Sequence, residues 1–246
     1  MFAKTSMVRN IIEARAAEEV FKILEAFPQD TMIFFDVDDT LITPQSTSFR
    51  KLPNLIEEIK KDSAKYKNFP EILSNWRLQR KIILLDNNWP KIILKLMEKH
   101  RVYALTKMDS GKFGNIESIE DWRYKELKSL KIQFTNDIAN VTHATGMPVF
   151  YKGIFYTGVS SKSSTLEFYH SNLKARRIVL VDDRLDHLED ISSYCMRYSI
   201  EFSGILYKGL ENIPDEIDPD LSNFQKEYLI NHSKWLEDEE ARKLMQ

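Results

Sequence analysis

At 246 residues the chain is long enough for one large domain, or for one domain with a modest insertion. Hydrophobic residues at 43% and charged residues at 29% exclude a disordered chain, and a net charge of −2 offers no basic field for a nucleic-acid backbone. One cysteine, Cys195, excludes an internal disulfide, and no apolar run approaches the roughly 18 residues of a membrane span.

In chain order, Met1–Phe27 is broken by Glu13, Arg15, Glu18 and Glu19 and reads as an amphipathic helix, not a secretory signal. The expected compartment is therefore the cytoplasm, with export by a route that leaves no N-terminal signature left open. Three short apolar runs follow, each ending in a polar residue that chemistry can use. They are Met32-Ile33-Phe34-Phe35 before Asp36, Val102-Tyr103-Ala104-Leu105 before Thr106, and Ile178-Val179-Leu180-Val181 before Asp182. Each has the length of a strand buried on both faces, as in parallel sheets. Helical patterns occupy about 89–100, 116–131 and 162–174, and the last of the apolar runs leads to Cys195 on a helix. This alternation predicts an α/β fold, a Rossmann-like parallel sheet with helices on both faces. Ligands of such sheets bind beyond the carboxyl ends of the strands, where Asp36, Thr106 and Asp182 would stand.

Two segments exceed simple alternation. The excess between the first two runs, roughly 45–87, reads as two helices, Leu52–Tyr66 and Pro70–Leu84, the second with Ile72, Leu73, Trp76 and Ile83 on one stripe. We expect a small helical cap there, between core segments 1–44 and 88–210. Pro148–Gly158 alternates around Lys152-Gly153 and predicts a hairpin. The tail, 211–246, becomes helical through Phe224, Tyr228, Leu229 and Trp235 and is expected to dock on the core.

Asp36 and Asp38, two apart at a strand end, can turn both carboxylates to one reacting centre. A carboxylate can attack phosphorus, and a second can protonate the leaving oxygen and then deprotonate water. The Thr106 hydroxyl and the backbone N–H of Lys107 after it can cradle phosphate oxygens. Lys162, in Ser160-Ser161-Lys162-Ser163-Ser164, opens a helix and can supply positive charge, with Lys152 and Lys174 as alternatives. Asp182-Asp183 can hold a hard cation that prefers oxygen ligands. Arg184, Asp186 and His187 follow closely and can line the site or simply suit a helix N-terminus. Trp76, Tyr66 and Trp89 can contact a ligand or pack a core.

This arrangement, Asp36-Val37-Asp38-Asp39-Thr40, Thr106, Lys162 and Asp182-Asp183 in that order, resembles the haloacid dehalogenase superfamily over roughly 31–207. The segments Trp122–Phe134 and Val181 through Phe202 are also similar to a poorly characterised bacterial branch of unknown function, DUF2608-like. The resemblance implies Asp36 as nucleophile, Asp38 as general acid/base, and Thr106 and Lys162 as phosphate binders. It implies Mg2+ held by Asp36, the backbone carbonyl of Asp38, and Asp182 or Asp183. Two positions depart from the common pattern: Asp39 stands where many members have glycine, and Lys107-Met108-Asp109 replaces a Ser-Asn that often follows the threonine. The implied activity is a Mg-dependent phosphatase acting on a phosphorylated small molecule or a phosphoprotein. Two alternatives stand beside it: a phospho-ligand binding module that does not turn over, and a protein phosphatase acting on host phosphoproteins.

Overall fold

A computed structural model describes residues 11–49, 68–141, 144–213 and 217–246. Seven strands form the central sheet in the order β1-β9-β8-β2-β5-β7-β6. These strands are β1 (Ile11–Ala14), β2 (Thr31–Phe35), β5 (Arg101–Thr106), β6 (Val149–Tyr151), β7 (Ile154–Tyr156), β8 (Arg177–Asp182) and β9 (Glu201–Tyr207). All neighbours run parallel except β6 against β7. The fold is therefore a mostly parallel, Rossmann-like α/β sheet flanked by helices. Among the described residues, no helix is long and apolar enough to cross a membrane.

The two-residue period of the strands sorts their side chains between two faces. Ile33, Phe35, Val102, Ala104, Val179 and Val181 point to one core, closed by α1 (Ala17–Glu25), α3 (Trp89–Met97) and α4 (Ile119–Ser129). Met32, Phe34, Tyr103, Leu105, Ile178 and Leu180 point to the other, closed by α5 (Lys162–Phe168), α6 (His170–Leu173) and α7 (Leu185–Arg197). Each Val, Leu, Ile, Phe or Met side chain among them, once fully buried, contributes roughly 1.5–3 kcal/mol. Cys195 lies on α7 in the second core, its thiol pushed up to about 12 by burial.

Several local expectations are corrected. The N-terminal helix begins only at Ala17, because Ile11–Ala14 pairs with β9 as an edge strand. The predicted helix over Pro70–Leu84 is α2 (Phe69–Gln79), which stops where Arg80 turns extended. Ile82–Leu84 then forms β4, antiparallel to β3 (Ile42–Pro44) in a separate small sheet. β-branched Ile82 and Ile83 suit that pairing better than a helical stripe. The helical pattern at 162–174 splits into α5 and α6. The expected helix at Leu52–Tyr66 lies outside the described residues. Lys152-Gly153 is the turn of the β6–β7 hairpin, with both φ positive (47° and 85°) as a tight reversal requires.

The tail forms α8 (Pro219–His232) and α9 (Asp238–Leu244). Leu229 and Trp235 bury against Ile72, Leu73 and Trp76 of α2. Gln225 and Asp238 bond the hydroxyls that follow β3: Ser48 donates to Gln225, Ser46 donates to Asp238 Oδ1 at 2.5 Å, and Thr47 donates to Asp238 Oδ2 at 3.1 Å. The tail thus meets the segment between β2 and α3.

Candidate active site

From β2 the chain steps outward to β5 and β7, then returns to the other side of β2 through β8 and β9. The strand order reverses between β2 and β8, and such a switch point opens a crevice at the carboxyl ends of the strands. Asp36 follows β2 there, its N–H bonded to Val181 O at 2.9 Å, and Asp182 ends β8 beside it.

Lys162, 1% exposed, places its Nζ 2.5 Å from Asp36 Oδ1 and 2.5 Å from Asp182 Oδ2. It is the first residue of α5, where the helix dipole opposes a cation, so the two carboxylates must hold the charge. The helix start is pinned from α7: Asp190 accepts from Ser163 N at 2.9 Å and from Ser163 Oγ at 2.6 Å. The alternatives fall elsewhere, Lys152 over the Tyr124 and Tyr151 rings and Lys174 at the left-handed end of α6.

Asp182 is saturated. Besides Lys162, its Oδ1 meets His187 Nδ1 at 3.0 Å and accepts from Arg184 N at 3.0 Å. Burial would raise it, but Lys162 and His187 hold it below the usual carboxylate range. Asp183 is the opposite case. Among the described residues no hydrogen bond or ion pair reaches its carboxylate, and burial, then Asp36, Asp182 and Asp39, push it up to about 8. Burial raises Asp36 to about 6, against the pull of Lys162, and raises Asp39 to about 7, with Asp38 adding to it. Three neighbouring carboxyls therefore hold their protons to higher pH than an ordinary aspartate, Asp36 despite its pairing with Lys162.

Asp39 has φ of +61°, a left-handed conformation that glycine adopts without strain and aspartate tolerates. That explains the backbone demand at the position. Its Oδ1 accepts from Thr43 Oγ1 at 2.9 Å. The Thr40 hydroxyl accepts from Asp183 N at 3.1 Å and ties the two acidic loops together.

Asp38 lies 38% exposed, clamped by a residue that sequence reasoning passed over. Arg123 NH2 donates to Asp38 Oδ1 at 2.9 Å and Oδ2 at 2.8 Å. Burial pushes Asp38 up, but Arg123 and then Arg80 outweigh it, leaving the group low. The available signal was Ile119-x-x-x-Arg123-x-x-x-Leu127, an arginine on the apolar stripe of a helix.

Thr106 ends β5, two strand positions beyond Ala104, the register partner of Phe35, and is 1% exposed. Lys107 is exposed next to it. Asp109 is engaged with Arg77 at 3.1 Å. Trp76 and Trp89 are core residues, 2% and 0% exposed, with Trp89 edge-on to Phe35 and Tyr207. Tyr66 lies outside the described residues. Arg184 pairs with Asp186 on the surface, while His187 turns inward to Asp182.

The site can attack an electrophile with one carboxylate, hold an anion with a buried lysine, and bind a hard cation with carboxylate oxygens. The family described as "Protein of unknown function (DUF2608)" matches residues 13–242. A Rickettsia prowazekii (strain Madrid E) protein, described as "Uncharacterized protein RP296", is 28% identical over 236 residues. That match spans 91% of this chain and 86% of the relative. No solved structure matches.

Proposed function

The chain belongs to the DUF2608 family, and we propose that it is a Mg2+-dependent phosphate monoester hydrolase of the haloacid dehalogenase type. The carrying observation is Lys162, buried at the switch point with its Nζ 2.5 Å from both Asp36 and Asp182. A purely structural ion triad buried this deeply would be no more stable than apolar packing, so its placement favours function. The resemblance in the order of Asp36, Asp38, Thr106, Lys162 and Asp182-Asp183 supports the same reading.

The cation fits the chemistry of the residues present. Among the described residues, Asp36, Asp182 and His187 bring donor atoms within 4.8 Å of one another, and the half-buried carboxylate of Asp183 stands beside Asp36 and Asp182 as a further hard oxygen donor. Asp36, the carbonyl of Asp38 and Asp183 would hold it, since both Asp182 oxygens are engaged by Lys162, His187 and Arg184 N. Bound there, Mg2+ supplies charge neutralisation for the transferring phosphoryl group.

Asp36 then attacks phosphorus, forming an Oδ–P bond as the bond to the ester oxygen breaks. Asp38 hands a proton to that oxygen, a proton brought by the monoanionic ester. In the second half Asp38 takes a proton from water as the water oxygen bonds to phosphorus and the Asp36–phosphorus bond breaks, and it passes that proton to the departing phosphate. Lys162, Thr106 and the N–H of Lys107 steady the phosphoryl oxygens, so catalysis rests on positioning and electrostatics.

The test is phosphate release from an aryl phosphate, with and without Mg2+, in the wild type and in Asp36→Asn. Turnover that needs Mg2+ and falls at least about 1,000-fold in the variant supports the reading. Equal turnover in both proteins overturns the role of Asp36. No turnover in either, across aryl esters, phosphometabolites and phosphopeptides, overturns the activity.

A further inference from the structure

Along α4, Ile119, Arg123 and Leu127 repeat every fourth residue, and all three are 0–1% exposed. The stripe faces the core, so the middle position calls for an apolar side chain. A guanidinium there carries a desolvation cost that stability alone does not justify. Its Nε has no partner among the described residues, while its NH1 and NH2 both donate to carboxylates. NH1 donates to Glu126 Oε2 at 2.5 Å, one turn along the same helix, and NH2 spans both oxygens of Asp38.

Glu126 is itself held from the other side. Arg80, at the end of α2, donates to it through Nε at 3.3 Å and NH2 at 3.1 Å, and its NH2 stands 3.7 Å from Asp38 Oδ1. The Arg80 guanidinium stacks 4.5 Å over the Trp76 ring, and Arg123 lies 5.0 Å over Trp122. Planar groups on aromatic faces have little rotational freedom. The result is a chain, Asp38–Arg123–Glu126–Arg80, in which each link is fixed by the next.

We infer that Arg123 is a positioning residue: with Glu126 behind it, it fixes the carboxylate of Asp38 in the orientation that proton transfer to the ester oxygen requires. This rests on the phosphatase reading. The relay also ties the α2 segment to the site, because Arg80 completes it from outside the central sheet.

The experiment measures kcat and KM for phenyl phosphate and 4-nitrophenyl phosphate in the wild type and in Arg123→Lys, with Mg2+ present. Lysine keeps the charge but cannot span two carboxylate oxygens in a planar fork. The poorer leaving group, phenolate, depends more on a well-placed proton donor. We expect kcat on phenyl phosphate to fall roughly 10- to 100-fold, at least about threefold more than on the nitrophenyl ester, with KM within about twofold. If Arg123→Lys does not fold, the paired variant Arg123→Gln/Glu126→Gln removes both buried charges together and is read the same way. Equal losses on both esters, a change in KM alone, or no loss would each overturn the positioning role while leaving the phosphatase reading intact. A wild type inactive on both esters and on the phosphometabolites and phosphopeptides would overturn both readings, and the wild-type arm alone identifies that case.

Discussion

At Asp183 burial lifts the carboxyl to about 8, and the repulsion of Asp36, Asp182 and Asp39 beside it adds to the rise. Asp183→Asn removes that repulsion and should stabilise the metal-free protein at pH 8. The expected gain in Tm is roughly 2–6 °C, shrinking to near zero at pH 4, where the wild-type group is already protonated. Melts in chelator at both pH values check this, and a variant less stable at pH 8 would show that the carboxylate has a favourable partner. Asp36, Asp38, Lys162, Asp182 and Asp183 could be named from the chain because each stands where a hydrophobic run ends or a helix begins. Arg123 shows in the chain only as an arginine on an apolar stripe, and its partner, 85 residues away, does not show at all. The choice between Lys162 and its neighbours Lys152 and Lys174 likewise needed the packing of α5 against α7.

Between elements, α8 buries Leu229 in the cluster of Ile72, Leu73, Trp76 and Trp235, and so braces α2 and the Arg80 at its end. Gln79 fastens the same junction, donating to Ser233 O at 3.0 Å and accepting from Trp235 N at 3.1 Å. Leu229→Ala should cost about 2–4 kcal/mol. Hydrogen exchange should quicken in 69–79 and 219–232 while β2, β5 and β8 keep their protection. Uniform loss across the sheet would mean that the tail and the sheet unfold as one unit. The buried strands were legible because four apolar residues in a row admit few other structures. Ile11–Ala14 was not, since an edge strand exposes Ile12 and Glu13 and so resembles the polar start of a helix. Ile82–Leu84 was hidden for a related reason: three residues carry no period, and only pairing with Ile42–Pro44 makes them a strand.

For the molecule as a whole, the raised groups determine how stability follows pH. Asp36, Asp39 and Asp183 sit at about 6, 7 and 8 in the folded chain, against 3.8 for an ordinary aspartate. Between these values the folded state keeps protons that the unfolded state has released, so stability is full near pH 4 and is lost as pH rises to 8. Asp38 and Asp182 are lowered and act in the opposite sense, losing their contribution only below about pH 4. The metal-free protein should thus show its highest Tm near pH 4–5. Millimolar Mg2+ should raise Tm at pH 8 and leave it unchanged at pH 4–5, as linkage requires of an ion that binds the ionised carboxylates. A Tm indifferent to Mg2+ at pH 8 would count against the cation site. What the chain alone determines is the alternation of strand and helix and the chemistry waiting at each strand's end, because burial on two faces writes itself as unbroken apolar runs. The order in which the strands assemble, the arginine that reaches Asp38, and the contrasting surroundings of Asp182 and Asp183 arise only on folding. They depend on residues distant in sequence meeting at one sheet edge, and no local pattern records which will meet.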